Sequence, residues 1–141
     1  MSKARSIRAS WNRRKADGAL VIEVLGIEPI SGNRWQRLHW AARKKYEEKL
    51  LLVLRTMRPK PAKLTQPVVV SYARSYYAHP LDQDNLVTGF KPILDALVDL
   101  ELLEDDSPSY VTIGQTFQEA RGKSPPRFAV ILAPRVLASV P

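Results

Sequence analysis

The chain has 141 residues, 45% of them hydrophobic and 26% charged, with a formal charge of +8 and no cysteine. That is the size of one ordinary domain with enough apolar material for one core, and it excludes a disulfide framework and a thiolate metal site. No apolar run approaches the roughly 20 residues of a membrane span, and the basic N-terminus lacks the apolar segment of a signal peptide, so the expected location is cytoplasmic. A sequence pI near 10.0 points to a polyanionic partner, most commonly nucleic acid.

Residues 1–17 hold six bases (Lys3, Arg5, Arg8, Arg13, Arg14 and Lys15) and no acid before Asp17. They are expected to form a flexible basic arm ahead of a domain over residues 18–141, with Arg13 and Arg14 as phosphate contacts. ALVIEVLG, residues 19–26, is rich in branched side chains and closes on Gly26, which predicts a strand. IEPISGN, residues 27–33, has loop chemistry. Residues 34–58 contain neither Gly nor Pro, and apolar residues recur at Trp35, Leu38, Ala42, Tyr46, Leu50, Val53 and Met57. This near-3.6-residue period predicts one long amphipathic helix, broken by PKPAKLTQP. Its bases Arg34, Arg37, Arg43, Lys44 and Lys45 are candidate phosphate contacts or a solvated face.

Residues 67–77 predict a second strand and residues 86–102 a second helix, which LLEDDSPS ends in a turn. Residues 110–120 and 127–134 predict two more strands, joined by RGKSPP, a connection short enough to suggest antiparallel pairing. The order is β-α-β-α-β-β, an α+β fold in a single small mixed domain without internal repeats.

Of the 14 acidic residues, eight fall between 82 and 106, with Lys91 the one base among them. Like charges this close repel. Either the acids point apart into water or several converge on a cation, and a hard ion such as Mg²⁺ suits carboxylate oxygens. With Asp84 as helix cap and ~100° per residue, Lys91 and Asp95 each lie about 20° from Asp84 around the axis. Leu86, Phe90, Ile93, Leu94 and Leu97 form the opposite, apolar stripe. A plain N-cap and an ordinary i,i+4 Lys91–Asp95 pair are the structural alternatives. Pro92 should kink this helix or delay its start. Leu86 and Val87 exclude an EF-hand loop. His79, three residues before Asp82, is a conceivable general base. Trp35, Trp40, Tyr76 and Tyr77 suit core or dimer packing better than base stacking, and His39 has no evident partner.

Together, D-x-D-N (Asp82, Asp84, Asn85), K-x-x-x-D-A-L (Lys91, Asp95, Ala96, Leu97) and D-D-S (Asp105, Asp106, Ser107) resemble the RusA family of Holliday junction resolvases, often carried by prophages. P-I-S-G-N-R, residues 29–34, is similar to that family's loop before its first helix, and the resemblance spans roughly residues 19–134. It implies a homodimeric, Mg²⁺-dependent endonuclease, with Mn²⁺ as a substitute, that cuts four-way DNA junctions in paired strands during recombination and repair. It also implies Asp82, Asp84 and Asp106 as metal-holding residues, with Asp105 and Asp95 as further ligands, Lys91 as the catalytic lysine, and Asn33 and Arg34 at the DNA. The family's lysine follows the second Asp by four residues. Here the interval is seven, which returns to the same helix face about 4.5 Å further along the axis. The alternative is a catalytically inactive branched-DNA-binding module of the same fold.

Overall fold

The computed structural model describes residues 7–135. They form β1 (Arg8–Arg13), β2 (Leu20–Leu25), α1 (Gly32–Arg37), α2 (Trp40–Leu54), β3 (Val68–Tyr76), α3 (Gln83–Gly89), α4 (Lys91–Asp99), β4 (Val111–Ala120) and β5 (Arg127–Pro134). The result is a small mixed α+β domain on one five-stranded sheet, ordered β1-β2-β5-β3-β4. Only β3 and β4 pair in parallel, and α3 and α4 form the crossover that a parallel pair needs.

Alternation decides which sheet face is covered. Leu20, Ile22 and Val24 of β2, Val68, Val70 and Tyr72 of β3, and Phe128, Val130 and Leu132 of β5 are buried. They join Leu50, Val53 and Leu54 of α2 and the predicted stripe of Leu86, Phe90, Ile93, Leu94 and Leu97 in one core. Phe90 sits where α3 gives way to α4. Its ring stacks on Tyr72 at 4.2 Å and meets the edge of Phe128 at 5.6 Å. Truncating a fully buried phenylalanine of this kind costs about 3–5 kcal/mol, so the junction between the two helices is anchored to the middle of the sheet.

Three expectations are corrected, and a further one, the break in the second helix at Pro92, is met. The basic stretch does not stand apart over its whole length. Lys3 and Arg5 lie outside the described residues, but Arg8–Arg13 pairs antiparallel with β2, and Trp11 donates from its indole nitrogen to the Pro59 carbonyl at 2.6 Å. The long first helix is two helices. Leu38 turns extended, and His39 caps α2 by accepting from the Ala41 N–H at 3.2 Å, which satisfies a first-turn donor. The second helix is likewise two, with Pro92 in the first turn of α4, where a missing N–H is harmless. Finally, β4 and β5 do not pair. Residues 121–126 wrap the end of β3, where the Arg121 N–H donates to the Tyr76 carbonyl at 2.9 Å and the Arg127 N–H to Ser75 Oγ at 3.0 Å. The short connection therefore straddles a strand instead of closing a hairpin.

Candidate functional site

Asp82, not Asp84, caps α3. It is extended, its Oδ1 accepts from the Asn85 N–H at 2.9 Å, and its Oδ2 accepts from Asn85 Nδ2 at 3.1 Å. Asn85 Oδ1 in turn accepts from the Asn33 N–H at 3.0 Å. The D-x-D-N segment is thus tied to the first turn of α1, which residues 29–31 lead into and Ser31 caps. Two glycines allow the approach. A Cβ at Gly89 would lie 2.0 Å from the Ile30 carbonyl oxygen, and one at Gly32 would lie 2.6 Å from Thr88 Cβ. Asp84 stands exposed in the first turn of α3, where the helix N-terminus favours a negative charge.

The second half of the site is built on α4. Lys91 Nζ donates to Asp95 Oδ1 at 3.0 Å and to Asp106 Oδ2. Asp106 comes back to α4 because the chain reverses at Glu101, a non-glycine residue at φ 60°. Buried Leu102 and Leu103 follow, and the N–H groups of both donate to the Leu97 carbonyl, at 2.9 and 3.3 Å. Asp105 Oδ1 accepts from the Asp106 N–H at 2.8 Å, which fixes the turn. The Lys91 hydrogen bond holds Asp106 below the usual carboxylate range, and the same bond raises Lys91. Asp95 is pushed up, first by burial and then, against the pull of Lys91, by its neighbour Asp106. Two carboxylates therefore share one ammonium.

Sequence reasoning missed Tyr72. It is fully buried, and its hydroxyl finds no hydrogen-bond partner among the described residues. Burial raises the phenol's pKa, and the charge of Asp106 raises it further. The signal was present: alternation along β3 turns Tyr72 to the core face, and a buried tyrosine hydroxyl ordinarily seeks a partner.

Asp82, Asp84 and Asp106 are not drawn into one three-carboxylate group. Among the described residues no three acidic or imidazole side chains converge closely enough to hold a metal ion. The converging pair is Asp95 with Asp106. That donor set suits Mg²⁺ in kind, since the ion commonly takes one or two carboxylates, several waters and substrate phosphate oxygens.

The predicted DNA contacts are distributed unevenly. Asn33 and Arg34 are exposed beside α3, and Arg37, Lys44 and Lys45 are exposed on α1 and α2. Arg43 is half-buried over the Trp35 ring, 5.3 Å from its centroid. Arg13 Nη1 donates to the Gly18 carbonyl at 3.3 Å. Arg14 is paired with Asp17 at 2.6 Å and holds that carboxyl down to about 2, so it meets a phosphate only by leaving Asp17. Trp35 packs edge-on to Tyr46, whereas Trp40 is exposed rather than in the core. His79 is exposed at the mouth of a cleft beside Arg34. Among the described residues no helix is long and apolar enough to cross a membrane. No protein-family model matches the chain, and a comparison with curated proteins gives no match.

Proposed function

We propose that the chain is a metal-dependent endonuclease for branched DNA, RusA-like in fold, which resolves four-way junctions by phosphodiester hydrolysis in the cytoplasm. The observation that carries this reading is the meeting of distant motif pieces: residues 29–34 against D-x-D-N through Asn33 and Asn85, and Asp106 of the following turn against Lys91, which Asp95 also holds on the adjoining helix. Asp95 and Asp106, the pair that meets at Lys91, are the residues that would hold Mg²⁺ or Mn²⁺, with Asp82 and Asp84 of α3 joining them only if the metal-free arrangement shifts, and a bound ion would activate a water and polarise a phosphoryl oxygen.

The chain's own groups have separable tasks. Lys91 stays protonated, because its partners raise its pKa. An ammonium has three donors and two are taken, so the third is free for a non-bridging phosphate oxygen and its developing charge. Asp82 and Asn85 hold the first turn of α1, which bears Asn33 and Arg34, against the start of α3, which orients those side chains toward a backbone crossing the site. Arg37, Lys44 and Lys45 extend the basic surface, and binding through them weakens as salt rises. Paired cuts require two sites, which a two-fold homodimer supplies.

The inactive-module reading has one observation in its favour: Lys91 already pairs with both Asp95 and Asp106 and offsets one of their two charges without a metal. A synthetic four-way junction separates the two. The nuclease cuts it with Mg²⁺ or Mn²⁺, and Asp84→Asn abolishes cutting while binding is kept. Tight binding without cutting by the unaltered protein at any metal concentration would leave the inactive module.

A further inference from the structure

Beside the start of α3 lies a cleft of about 370 Å³ between residues 28–34, the end of β3 and residues 77–81. It contains a residue that the fold does not explain. Along β3 the core face takes Val68, Val70 and Tyr72, and the next inward position is Arg74, only 6% exposed. Burying a charge is costly unless it is closely paired, and this one is not. Its nearest carboxylate oxygen, on Glu28, is 3.9 Å away, and its Nε donates only to the Ser75 carbonyl at 3.2 Å. Arg121 reaches the other oxygen of the same Glu28 at 3.5 Å, and its buried Nε finds no partner among the described residues. Glu28 itself is half-exposed. Arg34 stands on the rim. Two guanidinium groups thus share one carboxylate, with a third lining the same cleft, and burial lowers the pKa of Arg74, Glu28 opposing and Arg121 adding to the effect. Tyr77, 70% exposed, lies under the Arg121 guanidinium at 5.3 Å.

A charge excess around a buried arginine suits an oxyanion that accepts two parallel hydrogen bonds from the planar guanidinium, and phosphate is a common one. An exposed aromatic ring at the same mouth suits a nucleobase, whose face stacks irrespective of sequence. We propose that this cleft takes one nucleotide unit of an unpaired DNA strand, with its phosphate on Arg34 and Arg74 and its base against Tyr77. The inference rests on the nuclease reading for its choice of DNA, and it adds where the strand leaving a branch point is held. Leu81 lines the cleft and Asp82 follows it in the chain, so the unit is gripped next to the acidic site.

The test needs neither metal nor turnover. Thymidine 5′-monophosphate, inorganic phosphate and thymidine are titrated into ¹⁵N-labelled protein while the arginine Nε–H signals are followed. The two phosphates should shift Arg74 and Arg121 saturably and thymidine should not. The nucleotide should bind about tenfold more tightly than inorganic phosphate, as one stacked base allows. Tyr77→Ala should erase that preference, and Arg34→Gln should weaken both phosphates; both side chains are exposed, so neither change threatens the fold. Shifts spread equally over Arg37 and Arg55, no shift at Arg74, or an unchanged affinity in Arg34→Gln would overturn the proposal. Protein that binds the nucleotide here but cuts no junction would refute the nuclease alone. Protein that cuts junctions yet leaves Arg74 unshifted would refute the cleft alone.

Discussion

Replacing Gly89 with alanine reverses the sign that helix propensity alone would give. Gly89 is the last residue of α3, and the backbone stays right-handed through Phe90 into α4. In such a backbone alanine is favoured over glycine by up to about 1 kcal/mol. Here the new Cβ would sit 2.0 Å from the Ile30 carbonyl oxygen and 3.0 Å from its carbon, whereas ordinary contact begins at 3.4 Å. The loop would have to retreat by more than an ångström, and it is backbone rather than the end of a flexible side chain. Overpacking of this kind costs about 1–3 kcal/mol, enough to outweigh the propensity gain. The expected net loss is about 1–2 kcal/mol, measured as a lower urea midpoint at unchanged slope. The Asn33–Asn85 hydrogen bond should also loosen, seen as faster amide exchange at Asn33 than at Leu86. A variant as stable as the parent, or more stable, would show that residues 29–34 do not press on α3, and would separate the two motif pieces.

Lys91→Met removes the ammonium shared by Asp95 and Asp106. For pairs this exposed (Lys91 is 55% and Asp95 49% accessible) the loss at pH 7 should be about 1 kcal/mol. Asp106 has a depressed pKa in the folded state, so its stabilisation is present above the ordinary carboxylate range and is lost as pH falls through the folded value. Asp95, raised by burial, acts in the opposite sense, costing stability as pH rises from its ordinary range through its folded value. The stability gap between Lys91→Met and the parent, read by urea unfolding, should therefore narrow below about pH 4; an equal gap at pH 7 and pH 3 would mean that the ion pairs contribute nothing. Tyr72→Phe should leave the metal-free protein as stable or more stable by about 1 kcal/mol, since it deletes a buried hydroxyl without a partner. A thermal-unfolding loss of several degrees in that variant would reveal a hydrogen bond the hydroxyl does make.

The strands and the inward face of the second helical segment were legible because alternation and the 3.6-residue period are local: Ile22, Val130, Phe90 and Leu97 lie where pattern alone puts them. The breaks were less so. Leu38 and His39 carry no Gly or Pro signal, and an imidazole is an uncommon cap. Strand β1 was hidden by its charge, although Ala9 and Trp11 do alternate toward the core. The placement of β3 between β4 and β5 is a non-local pairing that loop length does not report. At the site, Lys91–Asp95 could be read from its spacing, whereas the return of Asp106 depends on a reversal at Glu101, a residue type that does not announce positive φ. Arg74 was readable as an arginine in a core register of β3, a local conflict of the kind that marks function.

The proposal seats a divalent cation among the acids around α3 and α4, and Mn²⁺ titrated into ¹⁵N-labelled protein reports on that seat directly. Paramagnetic broadening should be strongest at the amides of Asp84, Asp95, Asp105 and Asp106, saturate with added metal, and yield to competing Mg²⁺. Broadening confined to other surface carboxylates such as Glu47, Glu48 or Glu119, or none that saturates, would contradict a metal-dependent nuclease.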